Sequence, residues 1–126
     1  MKYLKYFKES KEDIHSLCKK YDIRNYTINE DGSIDVDGNV YLNGKKLIEL
    51  PLKFGKVSGH FNCSRETNLI PAWNQLTSLE GSPREVGGDF HCYRNQLTSL
   101  EGSPREVGGD FHCSNNQLES LEGSTK

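Results

Sequence analysis

From residue 36 onward the chain alternates. Across residues 107–114 the odd positions are Val107, Gly109, Phe111 and Cys113, and the even ones are mostly polar. A period of two is that of a strand with one face inward and one outward. The octet recurs over residues 86–93 and, more loosely, over 57–64 and 36–43. Two leucine columns accompany it. One is Leu47, Leu76, Leu97 and Leu118; the other is Leu50, Leu79, Leu100 and Leu121. Before residue 22 the period changes. Phe7, Ile14, Leu17, Cys18 and Tyr21 fall at helical spacings and make one apolar stripe. Ser10 followed by Asp13 suits the start of a helix over 11–21, with residues 2–8 as a separate turn. Residues 26–35 predict a short strand, a turn carrying Asp31-Gly32, and a second strand.

The alternation sits inside a longer period. Residues 76–96 and 97–117 differ at two positions only, Tyr93 against Ser114 and Arg94 against Asn115, and a third copy begins at Leu118. Within this 21-residue period the pattern L-x-L-x-x-N-x-L is filled by Phe90, Cys92, Asn95 and Leu97, and again by Phe111, Cys113, Asn116 and Leu118. Pattern and period are those of a leucine-rich repeat. The expected fold is therefore an α+β repeat solenoid. A helical cap over residues 1–25 precedes four strand-bearing coils and a truncated fifth over residues 26–126, with a parallel β-sheet, all in one structural domain. The inward glycine column (Gly38, Gly59, Gly88, Gly109) is expected to make room for the phenylalanines. Asn95 and Asn116 are expected to bond backbone groups at the turn after each strand.

A short helical start followed by LTSLEG-P-EVGG-F-C-NNQ repeats also resembles a family of uncharacterised bacteriophage proteins. The resemblance implies expression in the cytoplasm of a bacterial host. It also implies a host protein, for example a defence enzyme, as a partner to be inhibited or redirected.

One repeat breaks the period. Twelve residues separate Cys63 from Leu76, where four separate Cys92 from Leu97. The surplus falls within residues 64–73, which hold Leu69, Ile70, Pro71 and the single tryptophan, Trp73. Insertions in repeat arrays go to loops, often on a binding face. Tryptophan is enriched at interface hot spots. Ile70 and Trp73 are thus candidate partner contacts, with packing on the adjacent coil as the alternative.

Composition narrows the choice of function. The formal charge of −2 supplies no basic field for nucleic acid. No apolar run is long enough for a spanning helix, and the start MKYLKYFKESKED lacks the apolar stretch of a secretory signal. Cys63, Cys92 and Cys113 share one repeat position and are expected to stack as buried thiols. No C-x-x-C pair suggests zinc, and a reducing compartment follows.

Candidate chemistry lies on the outward positions. One row is Asn39, His60, Asp89 and Asp110. The next is Tyr41, Asn62, His91 and His112, and the next Asn43, Ser64, Tyr93 and Ser114. Asp89 with His91, and Asp110 with His112, share a face at a spacing of two. No nucleophile motif or phosphate loop accompanies them, so no catalytic residue, metal or cofactor is assigned. The expectation is a non-enzymatic protein-binding module contacting its partner through His60, Asp89, His91, Tyr93, Asp110, His112, Ile70 and Trp73. One alternative is a small-ligand or metal site at Asp89, His91, Asp110 and His112. Another is self-assembly through the strand edge at residues 107–114, since residues 118–126 provide no capping helix.

Overall fold

A computed structural model describes residues 11–43, 45, 47–64, 76–114 and 116. The calls made for residues 1–10, for Ile70 and Trp73 in the insertion, and for Leu118 onward lie outside the described residues.

Helix α1 spans Lys11–Lys20. Ile14 and Cys18 on its apolar stripe are 2% and 0% exposed and join the core with Ile23. The helix stops at Asp22, whose φ of 57° is left-handed. The N–H of Asp22 bonds the carbonyl of Lys19 at 3.3 Å, and that of Ile23 bonds the carbonyl of Cys18 at 2.8 Å. This is the Schellman arrangement, which satisfies the last carbonyls and brings Ile23 against Cys18. The helix thus ends where its stripe turns into the sheet core. No helix among the described residues is long and apolar enough to cross a membrane.

The predicted hairpin forms. Strands β1 (Tyr26–Ile28) and β2 (Ile34–Val36) pair antiparallel. In their turn Gly32 takes a φ of 86°, and the Asp31 carboxylate accepts the Ser33 N–H at 3.0 Å and its hydroxyl at 2.6 Å. These bonds from Ser33, helped by Lys53 at 3.2 Å, hold the Asp31 carboxyl down to about 2.

The remaining strands are β3 (Val40–Tyr41), β4 (Phe54–Val57), β5 (Phe61–Asn62), β6 (Glu85–Val86), β7 (Phe90–His91), β8 (Glu106–Val107) and β9 (Phe111–His112). Each octet was expected to be one strand of one sheet. It is instead two short strands in two sheets, ordered β1-β2-β4-β6-β8 and β3-β5-β7-β9. Every pairing except β1 with β2 is parallel. The break falls at the bend of residues 37–38, 58–59, 87–88 and 108–109. Register follows the sequence repeat: Val40 faces Phe61, Phe61 faces Phe90, and Phe90 faces Phe111. The inserted residues leave this register intact. Bonded positions lie 21 apart on either side of the insertion and 29 apart across it.

Inward side chains stack in columns. Phe61 lies parallel to Phe90 at 5.6 Å and Phe90 to Phe111 at 5.3 Å, with Phe54 edge-on to Phe61 at 5.1 Å. Leu76, Leu79, Leu97 and Leu100 are buried, as are Cys63 and Cys92. Val107, Phe111 and Cys113 in the last described repeat are only partly buried. Burial pushes the Cys63 thiol up to about 12 and raises Cys92 and Cys113 as well.

The glycines do not make room for phenylalanine. A Cβ on Gly59 would strike the Asn39 side-chain oxygen, one on Gly88 the His60 Nδ1, and one on Gly109 the Asp89 carboxylate. Gly59, Gly88 and Gly109 each clear space for a polar side chain of the preceding repeat, whereas Gly38 has a φ of 143° and nothing near its Cβ position among the described residues. Each such side chain accepts the next backbone N–H. Asn39 Oδ1 takes the His60 N–H at 2.8 Å, His60 Nδ1 takes the Asp89 N–H at 2.8 Å, and Asp89 Oδ1 takes the Asp110 N–H at 2.7 Å. At the bend the main chain turns away from its carbonyl partners, and these rungs satisfy N–H groups that would otherwise be unpaired.

The asparagines act as expected. Asn95 Oδ1 accepts the Leu76 N–H at 2.9 Å, and its amide donates to the carbonyls of Cys63 and Cys92, each at 3.1 Å. Asn116 repeats the set with Leu97, Cys92 and Cys113.

Candidate functional site

Strands β3, β5 and β7 bury their valine or phenylalanine and β9 half-buries Phe111, and the next residue must then point outward. Parallel register therefore lines up Tyr41, Asn62, His91 and His112 on the outer face. The rings of His91 and His112 stack with centroids 4.6 Å apart, and Tyr93 meets His91 edge-on at 5.8 Å. Arg94 lies over the Tyr93 ring at 6.0 Å. Its backbone has a φ of 58°, and its N–H bonds the Ser114 carbonyl at 3.0 Å.

The carboxylates flank the imidazoles. Asp89 Oδ2 is 3.7 Å from His91 Nε2 and 3.9 Å from His60 Nδ1. Asp110 Oδ2 is 3.7 Å from His112 Nε2. The backbone N–H of Asp110, followed by the nearby His60 and His91, holds the Asp89 carboxyl below the usual carboxylate range. The Asp110 side chain is 78% exposed against 33% for Asp89. The difference follows from the ladder, because Asp89 is bent back to serve the next repeat. His60 Nδ1 accepts a backbone N–H, so its proton belongs on Nε2. The Nδ1 atom of His91 is buried with no hydrogen-bond partner among the described residues.

His60, Asp89, His91, Tyr93, Asp110 and His112 are thus brought together on one surface. Two neighbours escaped the sequence reading as contacts: Tyr41, which is 52% exposed, and Arg94 beside Tyr93. Ser64, expected in an outward row, is instead buried, because its hydroxyl oxygen accepts the Tyr93 N–H at 3.0 Å. The structural role of His60 and Asp89 was also missed. Its signal was present as the glycine that makes room for each rung residue in the following repeat: Gly59 for Asn39, Gly88 for His60 and Gly109 for Asp89.

Among the described residues no three His, Cys, Asp or Glu side chains converge to hold a metal ion. The Glu80/Glu101 and Arg84/Arg105 rows are exposed, and no ion pair joins them among the described residues. A groove of about 700 Å³ lies along the other sheet, lined by Asp35, Lys56, Ser58, Glu85, Gly87 and Glu106 among others. Gly87 there is accounted for by packing, since a Cβ would meet the Ser58 carbonyl. What the imidazole–carboxylate surface offers chemically is an open array of hydrogen-bonding groups, two carboxylates and planar ring faces. Comparison of the chain with protein-family models, curated proteins and solved structures found no match.

Proposed function

We propose that the chain is a non-enzymatic protein-binding module whose two sheets are the strand side of a short leucine-rich-repeat solenoid. The contact surface in this reading is the outer face of β3-β5-β7-β9, joined by Ile70 and Trp73 of the insertion. One observation carries it: His60, Asp89, His91, Tyr93, Asp110 and His112 lie side by side on an open, regularly spaced surface. Extended repeat surfaces of this kind characteristically engage macromolecules. The resemblance to bacteriophage proteins adds a bacterial host protein as the partner and the host cytoplasm as the place.

The test is capture from bacterial lysate read by mass spectrometry. Wild type is expected to retain a partner that Tyr93→Ala/Asp110→Lys loses, both positions lying on the surface and outside the core. A partner retained equally by both proteins, or none at all, would remove the reading. A small-ligand or metal site at Asp89, His91, Asp110 and His112 is the second reading, favoured by the buried unpaired Nδ1 of His91. Metal content of protein purified without a tag separates the two.

A further inference from the structure

Strand β9 is the last described strand of its sheet, and its outer edge lacks a neighbour among the described residues. The repeat before it shows which groups that edge offers. Phe90 donates its N–H forward to the Asp110 carbonyl at 2.8 Å, and Cys92 donates to the His112 carbonyl at 2.9 Å. The Gly88 carbonyl points the same way and receives the Gly109 N–H at 2.8 Å. By the same register the N–H groups of Phe111 and Cys113 and the carbonyl of Gly109 point out of the open edge, and among the described residues no hydrogen bond reaches them. The Phe111 carbonyl lies on that side too, because a strand residue directs both of its backbone groups to one neighbour. The side chains agree with the backbone. Phe111 and Cys113 are half-buried where Phe90 and Cys92 are buried.

An unpaired edge of this kind is a template for another strand. The sequence around Phe111 is complementary to itself read in reverse. With two β9 strands antiparallel and Phe111 opposite Phe111, each Asp110 faces the other copy's His112, and each Gly109 faces the other copy's Cys113. The two Phe111 residues exchange both backbone bonds, and each Cys113 N–H reaches a Gly109 carbonyl. Asp110 and His112 then oppose each other twice on the outer face, at the positions where cross-strand side chains come closest. Both are exposed, at 78% and 47% of the side chain. On the inner face ring meets ring, and Gly109 leaves space for the thiol. Centring the pair on Gly109 instead would set Asp110 against Gly108 and lose the Asp110–His112 match.

We propose that the β9 edge is a two-fold interface, at which a second copy of this chain adds its own β9 antiparallel with Phe111 on the axis. The four-stranded sheet of one copy continues into that of the other, and their outer faces become one surface. A two-fold contact of this kind closes on itself, so it yields a dimer and no filament. The interface does not depend on what the outer face binds and stands apart from the protein-binding reading.

Sedimentation equilibrium of the whole chain across a dilution series tests the association. Wild type is expected to reach twice its 14.3 kDa. His112→Glu sets carboxylate against carboxylate twice and is expected to weaken the dimer about tenfold or more. Asp110→Lys/His112→Glu reverses both signs and is expected to restore it. Glu101→Lys, in the exposed glutamate row, is the control and is expected to leave it unchanged. Register is tested by disulfide trapping. Asp110→Cys and His112→Cys are purified separately, mixed and mildly oxidised. Opposed positions about 4.5 Å apart suit a disulfide. A reducible dimer is expected in the mixture, well above the level in either variant alone or in wild type, which reports the native thiols. A single-chain mass for wild type at every concentration overturns the proposal, as does His112→Glu dimerising as tightly as wild type or a sign-reversed variant that stays monomeric. So does trapping in Asp110→Cys alone that equals the mixture, or a mixture that traps no more than wild type.

Discussion

Asp89 performs two tasks with one carboxylate. Oδ1 closes the backbone of the next repeat, and Oδ2 faces two imidazoles. The first kind of task, shared by Asn39 and His60, explains Gly59, Gly88 and Gly109. Gly109→Ala puts a methyl group where the Asp89 carboxylate sits, and Gly88→Ala does so against His60. Each is expected to cost about 1–3 kcal/mol in urea denaturation, the usual range for overpacking combined with a lost bond. Asp89→Asn is expected to change stability little, because Asn39 already serves as such a rung. Alternation in the sequence assigned these glycines to the inward face. It did not reveal their role, because a pattern of faces does not say which side chain accepts an N–H at a bend. Asp31 gives a second prediction at this scale. Its carboxyl is held at about 2 against an ordinary 3.8. The folded value lies below the unfolded one, so its contribution is present above about pH 4 and disappears as pH falls toward 2. The side chain is 53% exposed, so solvent screening limits the effect to under about 1 kcal/mol. Asp31→Asn is expected to remove that part of the acid dependence, measured by denaturation at several pH values. An unchanged dependence would reject this assignment.

At the scale of the element, each asparagine after a strand joins three pieces of chain. Asn95 is 5% exposed, and its loss leaves the buried Leu76 N–H without its acceptor and takes a donor from the Cys63 and Cys92 carbonyls, the second of which keeps the Asn116 amide. Asn95→Ala is expected to cost about 3 kcal/mol, the upper range for orphaned buried groups. Asn116→Ala is expected to cost less, since its surroundings are only half-buried. Equal unfolding midpoints for the two variants would contradict this. Thiol reactivity tests the adjoining column. Burial raises the thiols of Cys63 and Cys92, and Cys113 is the more accessible. Native protein treated with iodoacetamide is therefore expected to label at Cys113 well before Cys63 or Cys92. The asparagine and cysteine columns were legible because a strict repeat fixes which residues superpose. The division of each octet into two strands was not. Glycines at the bend have no side chain to show a change of phase, so the alternation reads as continuous.

Across the molecule, the helix and hairpin followed from a change of hydrophobic period and from Asp31-Gly32. The parallel registers followed from the repeat length, and the insertion leaves them undisturbed. The candidate face was legible for the same reason, since residues at one repeat position must line up in parallel strands. Its geometry was less so. Stacking of His91 on His112 and the withdrawal of Asp89 into the ladder depend on side-chain directions at the bend, which spacing does not specify. The protein-binding reading needs that face to meet a partner while the exposed glutamate row does not. Site-specific photo-crosslinking in bacterial lysate tests this most directly, with a benzoyl-phenylalanine in place of Tyr93 and, separately, in place of Glu101. A discrete protein adduct at Tyr93 and none at Glu101 is the predicted result. Adducts of the same protein at both positions, or at Glu101 alone, would contradict the account.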